Sequence, residues 1–380
     1  MKLGIPKEIL EGETRVAVVP GMISILKKSK HEVFVETGAG VAASFADREY
    51  QDAGAAISKD CRELYQASDV ILKFQPPRLH PQMGVHEAVL LSEGTALICF
   101  MEPHLYPDAI RKLAARKITG FAMDYVPRIT RAQTMDALSS ISTIIGYKAV
   151  LVAAYHLGKF FPLLMTAAGT IPPANVMILG AGVAGLQAIA TARRLGAKVE
   201  AFDPRPAVKE QVKSLGAQFI DMEINENVET KGGYAKEQSD AFLLKEREVI
   251  AARLPKMDVV ITTAQVFGKR APLLMTENMV KLMRPGSVIV DLAANQGGNC
   301  ALSAPHQIVV KHNVTIIGVV NLANTLPVHA SQMYSKNITN LFLHLYKSPD
   351  GKLDFTDEIT QGACLTHQGE MVNEAVRKLV

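Results

Sequence analysis

Val176-Met177-Ile178-Leu179-Gly180-Ala181-Gly182-Val183-Ala184-Gly185 is the stretch that decides the fold. Its first four residues are apolar without alternation, the pattern of a strand buried on both faces of a parallel sheet. The strand runs straight into a GxGxxG turn, and Leu186 to Leu195 continues with helical periodicity. Each glycine has a physical task. Gly180 permits the tight turn, Gly182 lets the backbone approach a pyrophosphate, and Gly185 allows the helix to lie close to the strand. The phosphates then sit at the helix N-terminus, where backbone amides and the helix dipole favour an anion. Val199 to Phe202 reads as the next strand and ends at Asp203, eighteen residues after Gly185. A carboxylate in that place accepts hydrogen bonds from the adenosine ribose hydroxyls and repels a 2′-phosphate, which selects NAD(H). Arg205, two residues on, pulls the other way, because a guanidinium can accommodate that phosphate.

Outward from this unit the same rhythm repeats. Val259 to Thr263, Val288 to Asp291 and Val314 to Val319 are further apolar strand runs. Leu3 to Pro6, Val33 to Glu36, Val70 to Phe74, Ala96 to Phe100 and Ile118 to Met123 form an earlier set, with helical patterns such as Met22 to Lys28 and Asp108 to Arg116 between them. Alternation of this kind predicts an α/β protein of two Rossmann-like, doubly wound parallel-sheet domains. Two longer helical patterns, about Asp136 to Leu157 and Pro327 to Tyr346, are apolar on more than one face. They read as long crossover helices linking the domains, the second returning the chain to the first domain. The expected division is 1–135 with 327–380, and 136–326, with the cleft between the domains as the natural site. Asn225 to Ser239, polar and containing Gly232-Gly233, reads as a mobile loop.

At 380 residues and 48% hydrophobic, the chain can fill two cores. Net charge is only +4 and the basic residues are dispersed, with Lys27-Lys28 and Lys30 the densest group, so nothing marks a nucleic-acid partner. Cys61, Cys99, Cys300 and Cys364 have no CxxC spacing and are too few for a disulfide framework. No metal is expected, and a reduced, cytoplasmic setting is. The opening Met-Lys-Leu-Gly-Ile-Pro has no apolar signal region. Phe160 to Ala192 lacks Asp, Glu, Lys and Arg and is long enough to span a bilayer, but Pro162, Pro172-Pro173 and the glycine cluster interrupt it. It reads as a buried strand with its flanking turns, and no transmembrane segment is expected.

The second informative stretch is Arg128-Ile129-Thr130-Arg131-Ala132-Gln133-Thr134-Met135-Asp136-Ala137-Leu138-Ser139-Ser140, more polar than a connector requires. Two readings are open. It is a solvated linker in which Asp136 or Ser139 caps the next helix. Or it is a site in which Arg128 pairs with Asp136 to hold the loop, while Gln133 and Ser139 offer donors and acceptors to a nicotinamide carboxamide or ribose. Arg15, Lys73, His104 and Asn295 form another set. An amino-acid dehydrogenase needs a cation for the substrate carboxylate, as Arg15 or Lys73 could supply, and an acid/base, as His104 could. Asn295 cannot exchange a proton at neutral pH. Gly38-Ala39-Gly40-Val41-Ala42-Ala43 also fits a loose GxGxxA, but no acidic strand end follows at the right distance, and it reads as a structural turn.

These motifs, with Ile5-Pro6-Lys7-Glu8, Arg15-Val16-Ala17, Pro127-Arg128, Met165-Thr166-Ala167-Ala168-Gly169-Thr170, Gly232-Gly233-Tyr234-Ala235-Lys236-Glu237 and Gly297-Gly298-Asn299-Cys300, make a resemblance over essentially the whole chain. The sequence resembles the NAD(H)-binding component (domain I, at the start of the alpha subunit) of proton-translocating NAD(P)+ transhydrogenases, a family related to the alanine dehydrogenases. The resemblance implies that Arg128, Gln133, Asp136 and Ser139 line the nicotinamide and its ribose. Gly182 and Val183 would face the pyrophosphate, Asp203 and Arg205 the adenosine ribose. Gly233 and Tyr234 would belong to a loop closing over the cofactor. Gln265 would lie along the nucleotide, where the family often has an apolar residue. Alanine dehydrogenases use a catalytic His and Asp; the matching positions here carry Glu102 and Asn295. The implied reaction is direct hydride transfer between NADH on this chain and NADP+ on a partner subunit, without an acid or base. A separate membrane subunit would carry the proton channel. The chain would be a homodimeric, peripheral subunit on the cytoplasmic face of a bacterial inner membrane. The alternatives are a self-contained NAD-dependent alanine or amino-acid dehydrogenase and a non-catalytic NAD-sensing scaffold.

Overall fold

In a computed structural model, which describes residues 1–222, 239–266, 270–319, 321–348 and 351–380, the apolar runs become parallel strands. The chain divides into two compact units, Met1–Ile141 with Asn324–Val380, and Ser142–Ala323. In the first unit the strands are β1 (Lys2–Ile5), β2 (Glu32–Glu36), β3 (Ala56–Ser58), β4 (Val70–Leu72), β5 (Ala96–Cys99) and β6 (Thr119–Ala122). They lie parallel in the order β6-β5-β4-β1-β2-β3, so the strand order reverses between β1 and β4. Successive side chains of a strand point to opposite faces. Val70 and Leu72 therefore join Leu3, Ile5, Val33 and Ala96 in one core, while Ile71, Leu97 and Cys99 join another. Burial on both faces is why these runs read as continuous rather than alternating.

The second unit opens with an antiparallel hairpin of β7 (Leu164–Thr166) and β8 (Gly169–Ile171). This corrects the reading of Phe160 to Ala192 as one buried strand with turns. Only β9 (Asn175–Leu179) is the buried strand, and the hairpin before it is exposed along most of its length. The sheet continues with β10 (Lys198–Phe202), β11 (Gln218–Phe219), β12 (Val259–Thr262), β13 (Val288–Asp291), β14 (Ile308–Lys311) and β15 (Val314–Gly318). Its order is β11-β10-β9-β12-β13-β15-β14, parallel except for the β14/β15 pair. Val176 and Ile178 face one core, Met177 and Leu179 the other. The order reverses between β9 and β12, and ligands of open α/β sheets bind beyond the C-terminal strand ends at such a point.

The helix Ala137–His156 is long and apolar enough to cross a membrane by length and composition alone. Over its second half one face packs inward, while Tyr147 and Tyr155 on the other are exposed. Ala149, Val150 and Ala153 are buried in a core of the second unit. At Gly146 an added Cβ would stand 2.1 Å from the Ala184 carbonyl oxygen, so only glycine lets the two helices cross this closely.

The chain then returns to the first unit. The helix Pro327–Leu345 buries Tyr334, Ile338, Leu341 and Phe342 in its core, and the Tyr334 hydroxyl donates to the Lys73 carbonyl at 2.8 Å. Each such fully buried side chain stabilises by about 1.5–3 kcal/mol over leaving it exposed. After the helix Glu358–Ala363, β16 (Cys364–His367) adds antiparallel to β6 and β17 (Glu370–Met371) to β16, giving eight strands in all. Thr366 takes the place a side chain on Gly120 would need: its Oγ1 accepts from the Gly120 amide at 3.1 Å and donates to the Ile118 carbonyl at 2.9 Å.

Candidate functional site

The glycine turn sits at the C-terminal end of β9, beside the reversal in strand order. Gly180 has φ +98°, a backbone that favours glycine, and its amide donates to the Phe202 carbonyl at 2.8 Å. A Cβ at Gly185 would lie 1.9 Å from the Gly180 carbonyl oxygen, so this glycine sets the approach of the helix Val183–Arg194 to the strand. At Gly182 a Cβ would meet nothing within 4 Å. That residue is the N-cap, and no side chain caps the helix there. Open space over an uncapped helix N-terminus fits a pyrophosphate, because the first-turn amides have no intrahelical partner.

Asp203 is nearly buried and fully engaged. Its Oδ2 accepts from the Ala181 amide at 2.7 Å and from Arg205 Nη2 at 2.8 Å. Its Oδ1 accepts from the Arg205 amide at 2.9 Å and Nε at 2.8 Å. A carboxylate has about four lone-pair sites. A ribose hydroxyl can bond Asp203 only by displacing or sharing one of these donors, and the Arg205 side chain is the donor that can swing aside without moving backbone. Behind this pair lies a group the sequence did not single out. Phe242, Glu246 and Ile250 are the buried residues of the helix Asp240–Ala251, spaced i, i+4, i+8. Burial, and then the charge of Asp203, pushes the Glu246 carboxyl up to about 7, with Arg247 opposing.

After β12, Gln265 is exposed and its Nε2 donates to the Leu292 carbonyl at 3.0 Å. The loop carrying it is held by a buried polar knot. Asn299 accepts from the Ala264 amide at 3.1 Å and donates to the Ala264 and Pro272 carbonyls at 2.9 and 2.8 Å. Asp291 accepts from Thr262 Oγ1, the Ala293 amide and the Asn299 and Cys300 amides, which fixes Asn299 in turn. The only sequence signal for this knot was an Asp at a strand end followed by Gly297-Gly298-Asn299. Gly233 and Tyr234 lie outside the described residues.

In the first unit, Thr130–Met135 is a 3-10 turn. Ile129, Ala132 and Met135, three apart, turn into the core and leave Arg131 and Gln133 exposed. Arg128 is exposed as well. Asp136 caps the helix that follows: Oδ1 accepts from the Ser139 amide at 2.8 Å and Oδ2 from Ser139 Oγ at 2.6 Å. The Asp136 carboxylate thus does what the linker reading asks of it, with Ser139 as its partner. Arg128, Gln133, Asp136 and Ser139 belong to the first unit and its outgoing helix. Gly180, Gly182, Val183, Gly185, Asp203, Arg205 and Gln265 gather at the strand ends of the second.

The dehydrogenase candidates have other employment. Arg15 stacks on the Phe74 ring at 3.8 Å and donates through Nε and Nη2 to Glu13 at 2.7 and 2.6 Å. Lys73 is completely buried, bonded through Nζ to Glu87 and 3.6 Å from Glu8 Oε2. Burial pushes Glu8 up to about 7 against the pull of Lys73. Glu102 has φ +41°, and burial, then the charge of Asp124, pushes it up to about 7. Burial raises the Asp124 carboxyl, against hydrogen bonds from backbone amides and a smaller pull from His104. Asn295 is exposed on the short turn Ala294–Gln296, in the second unit. Gly38 and Gly40 follow β2; Gly38 has φ +74°, and a Cβ at Gly40 would strike Tyr50 and the Phe45 carbonyl oxygen at 2.7 Å, as a structural turn requires. Among the described residues no group of three or more His, Cys, Asp or Glu could hold a metal ion.

Comparison with known proteins follows the same division. A model of the alanine dehydrogenase/PNT N-terminal domain matches residues 4–145, and one of the alanine dehydrogenase/PNT C-terminal domain matches residues 149–374. The sequence is 47% identical over 381 residues to the first part of NAD(P) transhydrogenase subunit alpha from Rhodospirillum rubrum, covering 99% of each chain. Among solved structures, transhydrogenase from Sinorhizobium meliloti is similar with a TM-score of 0.85 at 38% identity, covering 99% of this chain and 100% of that one. An L-alanine dehydrogenase is similar with a TM-score of 0.82 at 26% identity, covering 100% and 99%.

Proposed function

Since the chain belongs to the alanine dehydrogenase/PNT family, we propose that it is the NAD(H)-binding component of a proton-translocating NAD(P)+ transhydrogenase. One observation carries the choice against a self-contained amino-acid dehydrogenase. Both cations that could bind a substrate carboxylate, Arg15 and Lys73, are already neutralised by Glu13 and by Glu87 with Glu8. By the resemblance, Glu102 falls near the place of an alanine dehydrogenase's His and Asn295 at that of its Asp.

Bound NADH would supply a hydride to the oxidised nicotinamide of NADP+ held by a partner subunit, leaving NAD+ and NADPH. The chain's own residues bind and orient. The helix N-terminus at Gly182 and Val183 takes the pyrophosphate. Asp203 accepts from the adenosine ribose once Arg205 yields a donor position. Gln265, Gly233 and Tyr234 complete the nucleotide contacts. Arg128, Gln133, Asp136 and Ser139 fix the nicotinamide and its ribose, and exclusion of water and placement do the rest. No side chain has to gain or lose a proton.

Residues 1–135 with 327–380 would form the N-terminal-type domain and 136–326 the NAD(H)-binding domain. A homodimer is supported by the exposed apolar surface of the hairpin, where Met165 is 79% accessible. The membrane proton channel belongs to another subunit, and the chain to the cytoplasmic face of the inner membrane. The deciding experiment mixes this chain with an NADP(H)-binding subunit and follows transfer to an NAD analogue. Transfer should appear only with the partner present. Pyruvate reduction with ammonia by the chain alone would overturn the reading in favour of an amino-acid dehydrogenase.

A further inference from the structure

The turn that presents Gln133 is tied down from a distant part of the chain. Arg131, two residues before Gln133, donates from Nη1 to Asp357 Oδ1 at 2.7 Å. The other oxygen of Asp357 accepts from His344 Nε2 at 2.8 Å and caps the helix Glu358–Ala363 through the Ile359 and Thr360 amides at 3.1 and 3.0 Å. One carboxylate thus joins the turn, the long helix Pro327–Leu345 and the short helix after it. On the other side of Gln133, the Thr134 carbonyl accepts from Asn337 Nδ2 at 2.8 Å and Asn340 Nδ2 at 3.2 Å. Gln133 is therefore clamped between two anchors, one through a side chain at 131 and one through the backbone at 134.

Stability alone does not explain this arrangement. Ala132 and Met135 already bury the underside of the turn. The Arg131 side chain is 55% exposed, and ion pairs at such exposure contribute little to folding. What the pair does contribute is direction: a planar guanidinium held by a nearly buried carboxylate fixes the azimuth of the turn and with it the reach of Gln133. Burial would raise the Asp357 carboxyl, but hydrogen bonds from His344, the Thr360 amide and Arg131 hold it well below the usual range, so the anchor stays charged.

We propose that Arg131, Asp357, Asn337 and Asn340 are positioning residues that set the geometry of Gln133 for hydride transfer, acting through the turn rather than by touching the dinucleotide. The proposal rests on the function given above. The test uses the full chain and its complex with the NADP(H)-binding subunit. Arg131→Ala should slow hydride transfer about tenfold while the NADH dissociation constant stays within twofold. Arg131→Lys, which can keep the ion pair, should recover at least half the rate. Asp357→Asn keeps an acceptor for the helix cap but drops the charge, and should slow transfer as Arg131→Ala does.

A transfer rate within twofold of the original in Arg131→Ala would overturn the proposal. So would an equal loss of rate and NADH affinity. An impaired Arg131→Ala beside an unaffected Asp357→Asn would assign Arg131 a direct role and also overturn it. Amide hydrogen exchange over residues 130–135 in the chain alone separates this idea from the function. Exchange there should quicken in Arg131→Ala and Asp357→Asn, and unchanged exchange removes the anchor whatever the reaction is. Absence of transfer by the unaltered complex would instead remove the proposed function.

Discussion

Gln133 is exposed on a turn anchored on either side of it, and a side chain so placed can orient a ligand without holding the fold. We expect Gln133→Asn, one methylene shorter, to slow hydride transfer far more than it weakens NADH binding. Equal losses in stopped-flow transfer and in equilibrium binding would remove the orienting role. Glu246 gives a residue-scale test of a different kind. Its carboxyl is raised to about 7 in the folded chain, so the folded state holds the proton more tightly than the unfolded one. Stability from this group is fully present below the unfolded value near 4.5 and is lost as pH rises from there through 7. Between pH 5 and pH 8 the unaltered chain should lose on the order of 2 kcal/mol that Glu246→Gln keeps. Urea melts at the two pH values measure this, and parallel losses in both proteins would contradict the buried charge. Neither Glu246 nor Asp357 was legible in the sequence. A Glu inside a helical pattern reads as a solvated face, and the Arg131 to Asp357 pair joins positions 226 apart, which no local pattern encodes.

At the scale of elements, β4, β5, β9, β12 and β13 read clearly because their residues are buried on both faces and give short continuous apolar runs. β3, β11 and β17 are short edge strands, and β16 is set between β17 and the distant β6; all four are too short for their sequences to carry a period. The glycine turn, in contrast, was legible residue by residue, since each glycine answers a local steric demand. Two substitutions separate those demands. Gly185→Ala puts a methyl 1.9 Å from a backbone carbonyl, so the helix Val183–Arg194 must move, and we expect a loss of about 1–3 kcal/mol. Gly182→Ala meets open space and should leave the melting temperature unchanged while weakening NADH at least tenfold. Calorimetry beside NADH titration reads both, and a Gly182→Ala chain with full affinity would move the pyrophosphate away from this turn.

For the whole molecule, the two units were legible because both strand sets repeat the same rhythm, whereas the exposed hairpin β7–β8 was absorbed into one apolar run. Its apolar residues Met165 and Ile171 are exposed, as at a contact surface. We expect the unaltered chain to sediment as a dimer and Met165→Glu as a monomer that still binds one NADH per chain; a dimeric Met165→Glu would place the interface elsewhere. The first unit is also interrupted, with 1–141 completed only by 324–380. During translation the second unit has all its strands before residue 324 leaves the ribosome, while β6 still waits for β16 and Arg131 for Asp357. Domains fold as units once their residues are available. The nascent chain should therefore hold a protease-resistant second unit while the first is still unfinished. The turn bearing Gln133 would be among the last parts of the protein to take shape.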